Sequence, residues 1–438
     1  RFADTTAVIL NWSRFPNVRT IVRALCSAEL ADIFREVLVW NNNPRELRYE
    51  DFGADLPCSS SGVHMRIVNS PENLYFYARY LACSSANSTH CFIQDDDYLV
   101  LPEVIRAMHS RIHERPQPSS IYLLPAHERL SSDMRHICDD TGRIHTGFSW
   151  LGHGALTHRT LISDFLALID GLGFTDSERK MADNYFSILR NSPPETWFDQ
   201  GIELGGGEPF TVGTEGDDRN RRHIIRAAQY LELAVAEDRD PPYPFIDRTL
   251  SSSCSPSYLQ QARAACFGRP CVLQTSIALF PFHIQHVRPS AQQMLELEEN
   301  SRSALGLNEM KFYLDNSPSN AVDRQSSSAF RSTQDGRAGD FIMLDMLSDV
   351  GSSWPLIEMV WLVDTSGAEL LRQCIHESSY DGRIWTTAVH AILCFQAGND
   401  QQECAVELGS AIPSRFFRAR LVNDSANKWT VFEVWLRG

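Results

Sequence analysis

The chain has 438 residues, 43% hydrophobic and 22% charged, which are the proportions of a globular protein of two or three domains. Its 40 Lys and Arg against 55 Asp and Glu give a net charge of −15 and a pI near 5.4, which disfavours nucleic acid or an anionic membrane surface as the main partner. No apolar run approaches the roughly 20 residues of a membrane span, and no signal peptide is visible.

Thr5-Thr6-Ala7-Val8-Ile9-Leu10 predicts a first strand, followed by the polar loop Asn11 to Asn17 and helical spacing from Val18 to Leu25. Glu36 to Trp40 predicts a second strand, stopped by Asn41-Asn42-Asn43-Pro44, and His64 to Val68 a third. Asn73 to Cys83 predicts a helix with Leu74, Tyr77, Ala78 and Leu81 on one side. The fourth strand, His90 to Ile93, runs into Asp95-Asp96-Asp97, and Leu101-Pro102-Glu103 opens another helix. This alternation implies right-handed βαβ units and a parallel sheet.

Ligands of such sheets bind beyond the carboxyl ends of the strands. Four strand ends carry polar clusters here: Asn11 to Arg14, Asn41 to Asn43, Ser70 to Asn73, and Asp95 to Asp97. Asn side chains read a base or ribose, and Arg14 and Arg79 are candidates to meet phosphate. Three adjacent carboxylates repel one another unless a cation lies between them. Their oxygens suit Mg²⁺ or Mn²⁺ bridging to substrate phosphates. The bland alternative for the triplet is a solvated acidic turn. Four polar clusters on one rim favour a nucleotide site over it.

These motifs, in order, resemble the nucleotide-sugar half of GT-A glycosyltransferases over roughly residues 5–230. They are Val8-Ile9-Leu10-Asn11-Trp12-Ser13-Arg14, Val37-Leu38-Val39-Trp40-Asn41-Asn42, Asn73 with Arg79, and Asp95-Asp96-Asp97. The closest likeness is to the exostosin-like family, which carries a V-V-W-N-N turn and a D-D-D motif. The resemblance implies an α/β, Rossmann-like GT-A domain over residues 1–235. Its donor would be a UDP-sugar, with UDP-N-acetylglucosamine as first guess, held with Mn²⁺ or Mg²⁺. Asp97 and Asp95 would place the metal. Asn11, Trp12, Arg14, Asn41, Asn42, Asn73, Arg79, Asp95, Asp96 and Arg219 would contact the nucleotide-sugar. Met181 to Phe186 resembles the helix start that presents a carboxylate to the reacting sugar, which makes Asp183 the catalytic candidate. Phe148 to Leu156 resembles a small-residue strand under the acceptor cleft, its glycines admitting close approach of a sugar. Asp217 to His223 carries Arg219, Arg221 and Arg222, any of which suits a diphosphate leaving group. Arg222 is taken as the catalytic one. The acceptor would be a hydroxyl of a glycan, glycolipid or glycoprotein, with retention of anomeric configuration.

Residues 236–304 read as a connector, with a Pro-rich and charged boundary at Glu237 to Pro244, a helix at Tyr258 to Cys266, a strand at Cys271 to Phe280 and an exposed helix at Ala291 to Arg302. Residues 305–438 change to short strands with turns between them. Ala321-Val322-Asp323, Ile342-Met343-Leu344-Asp345, Asp381-Gly382-Arg383-Ile384-Trp385 and Arg418-Ala419-Arg420 resemble discoidin-like (coagulation-factor type C) domains, all-β jelly-roll sandwiches. Such a domain either binds sugar or lipid head groups through its tip loops or braces its neighbour. The alternative function is accordingly a catalytically inactive carbohydrate-binding protein acting through this domain.

The 11 cysteines include no C-x-x-C pair, which argues against zinc. Cys254, Cys266 and Cys271 cluster, as do Cys374, Cys394 and Cys404, so disulfides within these groups compete with buried free thiols. Sequons stand at Asn11, Asn87 and Asn423. Together with the resemblance they point to the secretory pathway, as the Golgi-lumenal part of a type II membrane protein trimmed of its anchor. Asn11, if it contacts nucleotide, should stay unglycosylated.

Overall fold

The computed structural model describes residues 3–54, 56–114, 118–139, 141–206, 214–237, 243–249, 261–281, 290–348, 357–398, 400–408 and 413–438. The chain divides into two compact units. The first comprises residues 1–196, 201–254 and 286–300, the second residues 197–200, 255–285 and 301–438. Most of the boundary expected at Glu237 to Pro244, and Cys254, lie outside the described residues.

In the first unit the apolar runs become the strands β1 (Thr5–Asn11), β2 (Phe34–Asn41), β3 (His64–Asn69) and β4 (His90–Gln94). They lie parallel in the order β3-β2-β1-β4. β1 and β4 are buried almost throughout, which is why they read as continuous apolar runs and not as an alternation. Two further strands, β5 (Ser120–Leu124) and β6 (Ala155–His158), extend the sheet antiparallel in the order β4-β6-β5. The helix α1 (Phe15–Leu25) starts on Pro16 and buries Val18, Ile21, Val22 and Leu25, one face at helical spacing.

The next helix differs from expectation. α2 (Tyr77–Ser84) begins four residues later than predicted, because Asn73 forms a turn by accepting from the Tyr75 N–H at 2.9 Å, and Tyr75 sits at φ +51°. Its buried face is Ala78, Arg79, Tyr80, Ala82 and Cys83, whereas Leu81, expected inside, is only half-buried. A buried guanidinium with carboxylate partners has displaced the apolar stripe that periodicity alone would choose. α3 (Pro102–Ile112) follows the acidic triplet, α4 (Asp183–Leu189) starts at the expected carboxylate, and α5 (Thr214–Ala236) carries the arginine cluster. The small-residue stretch 147–154 is a loop, and only Ala155–His158 is strand.

Ala291, Met294, Leu295 and Leu297 pack into the core of the first unit, so the helix expected to be exposed is half inside. Their near-helical spacing is the pattern of a buried face. The helix expected at Tyr258 to Cys266 is instead a strand over its described part, Ala262–Ala265, which pairs with Val272–Thr275. Short Ala-rich segments fit either state, and here the strand partner decides.

The second unit is an antiparallel β-sandwich. One sheet runs Phe330–Asp335, Lys428–Arg437, Glu358–Val363, Gln401–Glu407, Leu393–Gly398 in spatial order. The other contains Cys374–Ser379, Phe416–Leu421, Phe341–Asp345, Val272–Thr275 and Ala262–Ala265. Trp361 and Trp429 are fully buried in it. The expected turns hold by side-chain bonds. Asp381 accepts from the N–H groups of Arg383 (2.8 Å) and Ile384 (2.9 Å), with Gly382 at φ +71°. Asp323 accepts from Gln325 N–H (2.8 Å) and Ser328 Oγ–H (2.6 Å).

Disulfides join Cys26–Cys58, Cys83–Cys91, Cys266–Cys271 and Cys394–Cys404, and Cys138 is also disulfide-bonded. No helix among the described residues is long and apolar enough to cross a membrane. Asn87 and Asn423 are exposed, while Asn11 is buried. Leu38, fully buried on β2, belongs to the core cluster that this sheet shares with α2 and α4. Leu38→Ala should lower the stability of the first unit by about 2–5 kcal/mol, read as an earlier unfolding midpoint in urea.

Candidate active site

The carboxyl ends of β1, β2 and β4 open onto a cleft of about 320 Å³. It is lined by Asn11, Trp12, Arg14, Asn42, Asn73, Arg79 and Asp95 to Asp97, and also by Tyr75, Glu128, Trp150, His153, Asp183, Asp217 and Asn220. Parallel register delivers the polar residues together, since Asn11 pairs with Asn41 and Asn41 with Asn69.

In the floor lies Arg79, with no solvent exposure. Its Nη2 meets Asp95 Oδ1 at 2.5 Å and its Nη1 meets Asp183 Oδ2 at 3.0 Å. Burial pulls the guanidinium pKa down, and the two carboxylate charges more than offset this, leaving it raised. Arg79 therefore holds two carboxylates in place, and its Nε, buried without a hydrogen-bond partner, is the donor it has left for a ligand of the cleft. The other oxygen of Asp183 accepts from Tyr80 Oη–H at 3.0 Å. Burial pushes the Asp183 carboxyl up to about 6, with Arg79 opposing and Asp95 adding to the rise.

Arg14 is a second clamp. Its Nη1 contacts Asp96 Oδ1 at 2.9 Å and Asp97 Oδ2 at 3.0 Å, and its Nε donates to the Gly206 carbonyl. Both carboxyls are still raised, first by burial and next by the Asp95 charge. The arginines thus neutralise the triplet only in part. Asp97 is the most open of the three, its side chain 44% exposed against 12% for Asp96 and 29% for Asp95. This donor set suits a hard cation that takes one or two carboxylates and completes its shell with phosphate oxygens.

The asparagines divide. Asn11 donates to Asn41 Oδ1 at 2.7 Å, yet its own Oδ1 is buried on the cleft wall with no partner. An orphaned acceptor there fits an N–H or O–H of a nucleotide. Asn41 lies outside the lining and is consumed by the strand-end ladder, donating to Asn69 Oδ1 (2.8 Å) and the Arg45 carbonyl (2.8 Å). Asn42 lines the cleft but braces the 74–75 loop, accepting from Leu74 N–H at 3.2 Å and donating to the Tyr75 carbonyl at 3.3 Å. Trp12, 44% exposed, offers a ring at the rim.

Arg219 and Arg222 do not line the cleft. On α5 the lining residues are Asp217 and Asn220, three apart and on one face; Arg221 and Arg222 are turned outward and exposed. Sequence reading missed Glu128; it had Trp150 and His153 only as part of the 148–156 stretch under the acceptor cleft and Asn220 only as part of the Asp217 to His223 cluster, with no role of their own. Glu128 Oε1 lies 3.3 Å from His153 Nε2, and its Oε2 is buried without a partner. Only the glycines hinted at this wall. The Gly152 carbonyl accepts from Asp95 N–H at 2.8 Å, and a Cβ on Gly152 would strike the Asp95 carboxylate.

No protein-family model and no curated protein matches the chain. Among solved structures it is similar to a mannosyltransferase from Pyrobaculum calidifontis in complex with GDP-Man and Mn²⁺. That match has 12% identity and a TM-score of 0.36, and it covers 71% of this chain and 79% of that one. Glucosyl-3-phosphoglycerate synthase from Mycobacterium tuberculosis, in complex with Mn²⁺ and UDP-Glc, matches at 8% identity and TM-score 0.32, over 52% of this chain and 79% of that one. The module CBM32-1 from a family 31 glycoside hydrolase of Clostridium perfringens matches at 20% identity and TM-score 0.22, over 27% of this chain and 82% of that one. With scores this low, the chemistry of the cleft is read from its own residues.

Replacing Arg79 by Met leaves the buried Asp183 and the half-buried Asp95 without their cation and should destabilise the first unit by about 3–5 kcal/mol in urea unfolding. Asp183, raised from 3.8 to about 6, favours the proton in the folded state. Its contribution to stability is full below pH 3.8 and is lost as pH rises through 6. Asp183→Asn should flatten the slope of stability against pH in that window relative to the parent chain.

Proposed function

We propose that the protein is a metal-dependent glycosyltransferase that moves a sugar from a nucleoside-diphosphate sugar, a UDP-sugar by the exostosin-like resemblance, to a hydroxyl of a glycan, glycolipid or glycoprotein. The observation that carries this reading is the partly neutralised triplet Asp95 to Asp97, at the rim of a cleft that also holds the orphaned Asn11 Oδ1 and the buried Asp183. Asn11 and Asn73, with Trp12 as an aromatic wall, would seat base and ribose. Asp97, with Asp95 beside it, would hold Mn²⁺ or Mg²⁺. When bound, such an ion supplies positive charge against the diphosphate as the sugar–phosphate bond breaks.

The remaining steps fall to the chain's own residues. The bond from the anomeric carbon to the phosphate oxygen breaks, and the acceptor oxygen bonds to that carbon. Both Asp183 oxygens are engaged, by Arg79 and by Tyr80, which suits a fixed negative charge facing an oxocarbenium-like sugar better than a proton acceptor. The acceptor proton then passes to the leaving phosphate oxygen, and the configuration is retained. His153 and Glu128 would orient the acceptor hydroxyl, and Arg14 would keep Asp96 and Asp97 in register. The disulfides favour an oxidising compartment, in keeping with residence in the secretory pathway.

A panel of UDP- and GDP-sugars, followed by released nucleotide with Mn²⁺ and again with EDTA, tests this. One donor should be turned over with metal and not with EDTA, and Asp97→Ala should lower its rate at least ~100-fold with the fold retained. No release from any donor, combined with no thermal shift on adding UDP or GDP, would refute the enzyme reading.

A further inference from the structure

At the opposite end of the same sheet, where β1 and β4 begin, stands a cluster that the transfer reaction does not use. Asp4 precedes β1, and Thr5 pairs with His90 at the start of β4. His109 and His113 lie four residues apart, on the last turn of α3 and just past it. β1 is 7 residues long, so at ~3.3 Å per residue this end lies roughly 20 Å from the cleft.

The Asp4 carboxylate faces three imidazoles. Its Oδ1 is 2.8 Å from His109 Nε2, and its Oδ2 is 2.7 Å from His113 Nε2 and 3.7 Å from His90 Nδ1. The ring centroids of His109 and His113 are 4.3 Å apart, and those of His90 and His113 4.8 Å. Nitrogens of His109 and His113 and an oxygen of Asp4 all fall within 4.8 Å of one another. Among the described residues no other group of three such ligands converges in this way.

The protons decide what this arrangement is for. His113 Nδ1 lies 2.7 Å from the His109 carbonyl oxygen, which can only accept, so Nδ1 carries the proton. A neutral His113 then presents the bare lone pair of Nε2 to a carboxylate oxygen at 2.7 Å. Two acceptors at that distance need a positive charge between them, either a second proton or a metal ion. His90 points the same way. Its side chain is 7% exposed, and its Nδ1 is buried with no hydrogen-bond partner while facing Asp4. Protons alone need one imidazolium, His113, since His109 and His90 can donate from neutral tautomers, but they leave His90 Nδ1 3.7 Å from the Asp4 carboxylate and without a hydrogen bond. One dication meets all the facing lone pairs at once. The bond from His113 Nδ1–H to a backbone carbonyl is also the arrangement that fixes a ligating histidine's tautomer and ring.

We propose that Asp4, His90, His109 and His113 bind one Zn²⁺. Three imidazole nitrogens and a carboxylate oxygen are the donors of a four-coordinate zinc, whereas the all-oxygen triplet in the cleft suits Mg²⁺ or Mn²⁺. The donor atoms of Asp4, His109 and His113 already lie within 4.8 Å of one another, and His90 Nδ1, 3.7 Å from Asp4 Oδ2, has to move inward to complete the set. With four protein ligands the site is closed, and its role is structural. It ties the start of β1 to β4 and to the helix that follows the acidic triplet. The absence of C-x-x-C pairs argued against zinc from sequence, but this site needs no cysteine.

The test uses the full chain, stripped with EDTA and then given Zn²⁺. Metal retained after gel filtration is counted by mass spectrometry, and affinity is measured against a chromophoric zinc chelator. We expect one zinc per chain, a visible absorption band of four-coordinate cobalt when Co²⁺ replaces it, and affinity at least ~100-fold lower in His109→Ala/His113→Ala. Asp97→Ala should keep its zinc, which separates this site from the cleft. A parent chain that emerges without zinc overturns the proposal even if the double variant fails to fold. A double variant that binds as tightly as the parent, or loss of zinc in Asp97→Ala, overturns it as well. His90→Gln, which removes one ligand and keeps the polarity, should weaken zinc ~10-fold; unchanged affinity would remove His90 from the set and with it the four-ligand site.

Discussion

A guanidinium without any contact with water, set between two carboxylates, is the constraint on which the cleft depends. Arg79 could not be buried alone, since an unpaired interior charge is far too costly. Asp95 comes from the end of β4 and Asp183 from the start of α4, so one ion-paired group locks the acidic triplet to the helix that carries the buried acid. Phe76, 5.2 Å from the guanidinium carbon, closes one side with a ring face. The same arginine limits the two carboxylates. It opposes the rise of the Asp183 carboxyl, which stands at about 6, and engages one oxygen of Asp95.

The rest of the rim is built around that lock by short-range bonds. The ladder Asn11–Asn41–Asn69 ties three strand ends together, and Asn42 and Asn73 shape the loop over which Tyr75 enters the wall. Arg14 repeats the logic of Arg79 at lower burial, one cation against two carboxylates. Gly152 lets the opposite wall come within backbone hydrogen-bond distance of Asp95. The cleft is thus polar and largely preformed, and its remaining imbalance is negative charge at Asp96 and Asp97 with an unanswered acceptor on Asn11.

β1 and β4 could be read directly, because a strand buried on both faces must be apolar along its whole length and must stop where the chain meets water. Polar residues at the stops were therefore visible as a set. Helix faces were harder. The stripe assigned to α2 counted apolar residues and set Leu81 inside, but the interior there is organised by Arg79. Nothing within the helix shows that its carboxylate partners lie 16 and 104 residues further along. The connector was misread for a related reason: Ala262–Ala265 is a strand only because Val272–Thr275 pairs with it.

The sequence by itself determined the strand order along the chain, the acidic triplet with its asparagine turns, and the change to short antiparallel strands beyond residue 305. These depend on neighbours in the chain, on period and on turn chemistry. Only the tertiary structure decided which polar residues face the cleft and which hold it. Asn41 is of the same type as Asn11 and just as buried, and differs from it in its hydrogen-bond partners. It also left Arg219 and Arg222 out of the cleft lining, placed Asn220 in it, and brought Glu128 and His153 to one wall. At the far end of the sheet it gathered Asp4, His90, His109 and His113. Contacts between residues distant in sequence fix burial and hydrogen-bond partners, and a linear pattern carries no record of which distant residue will arrive.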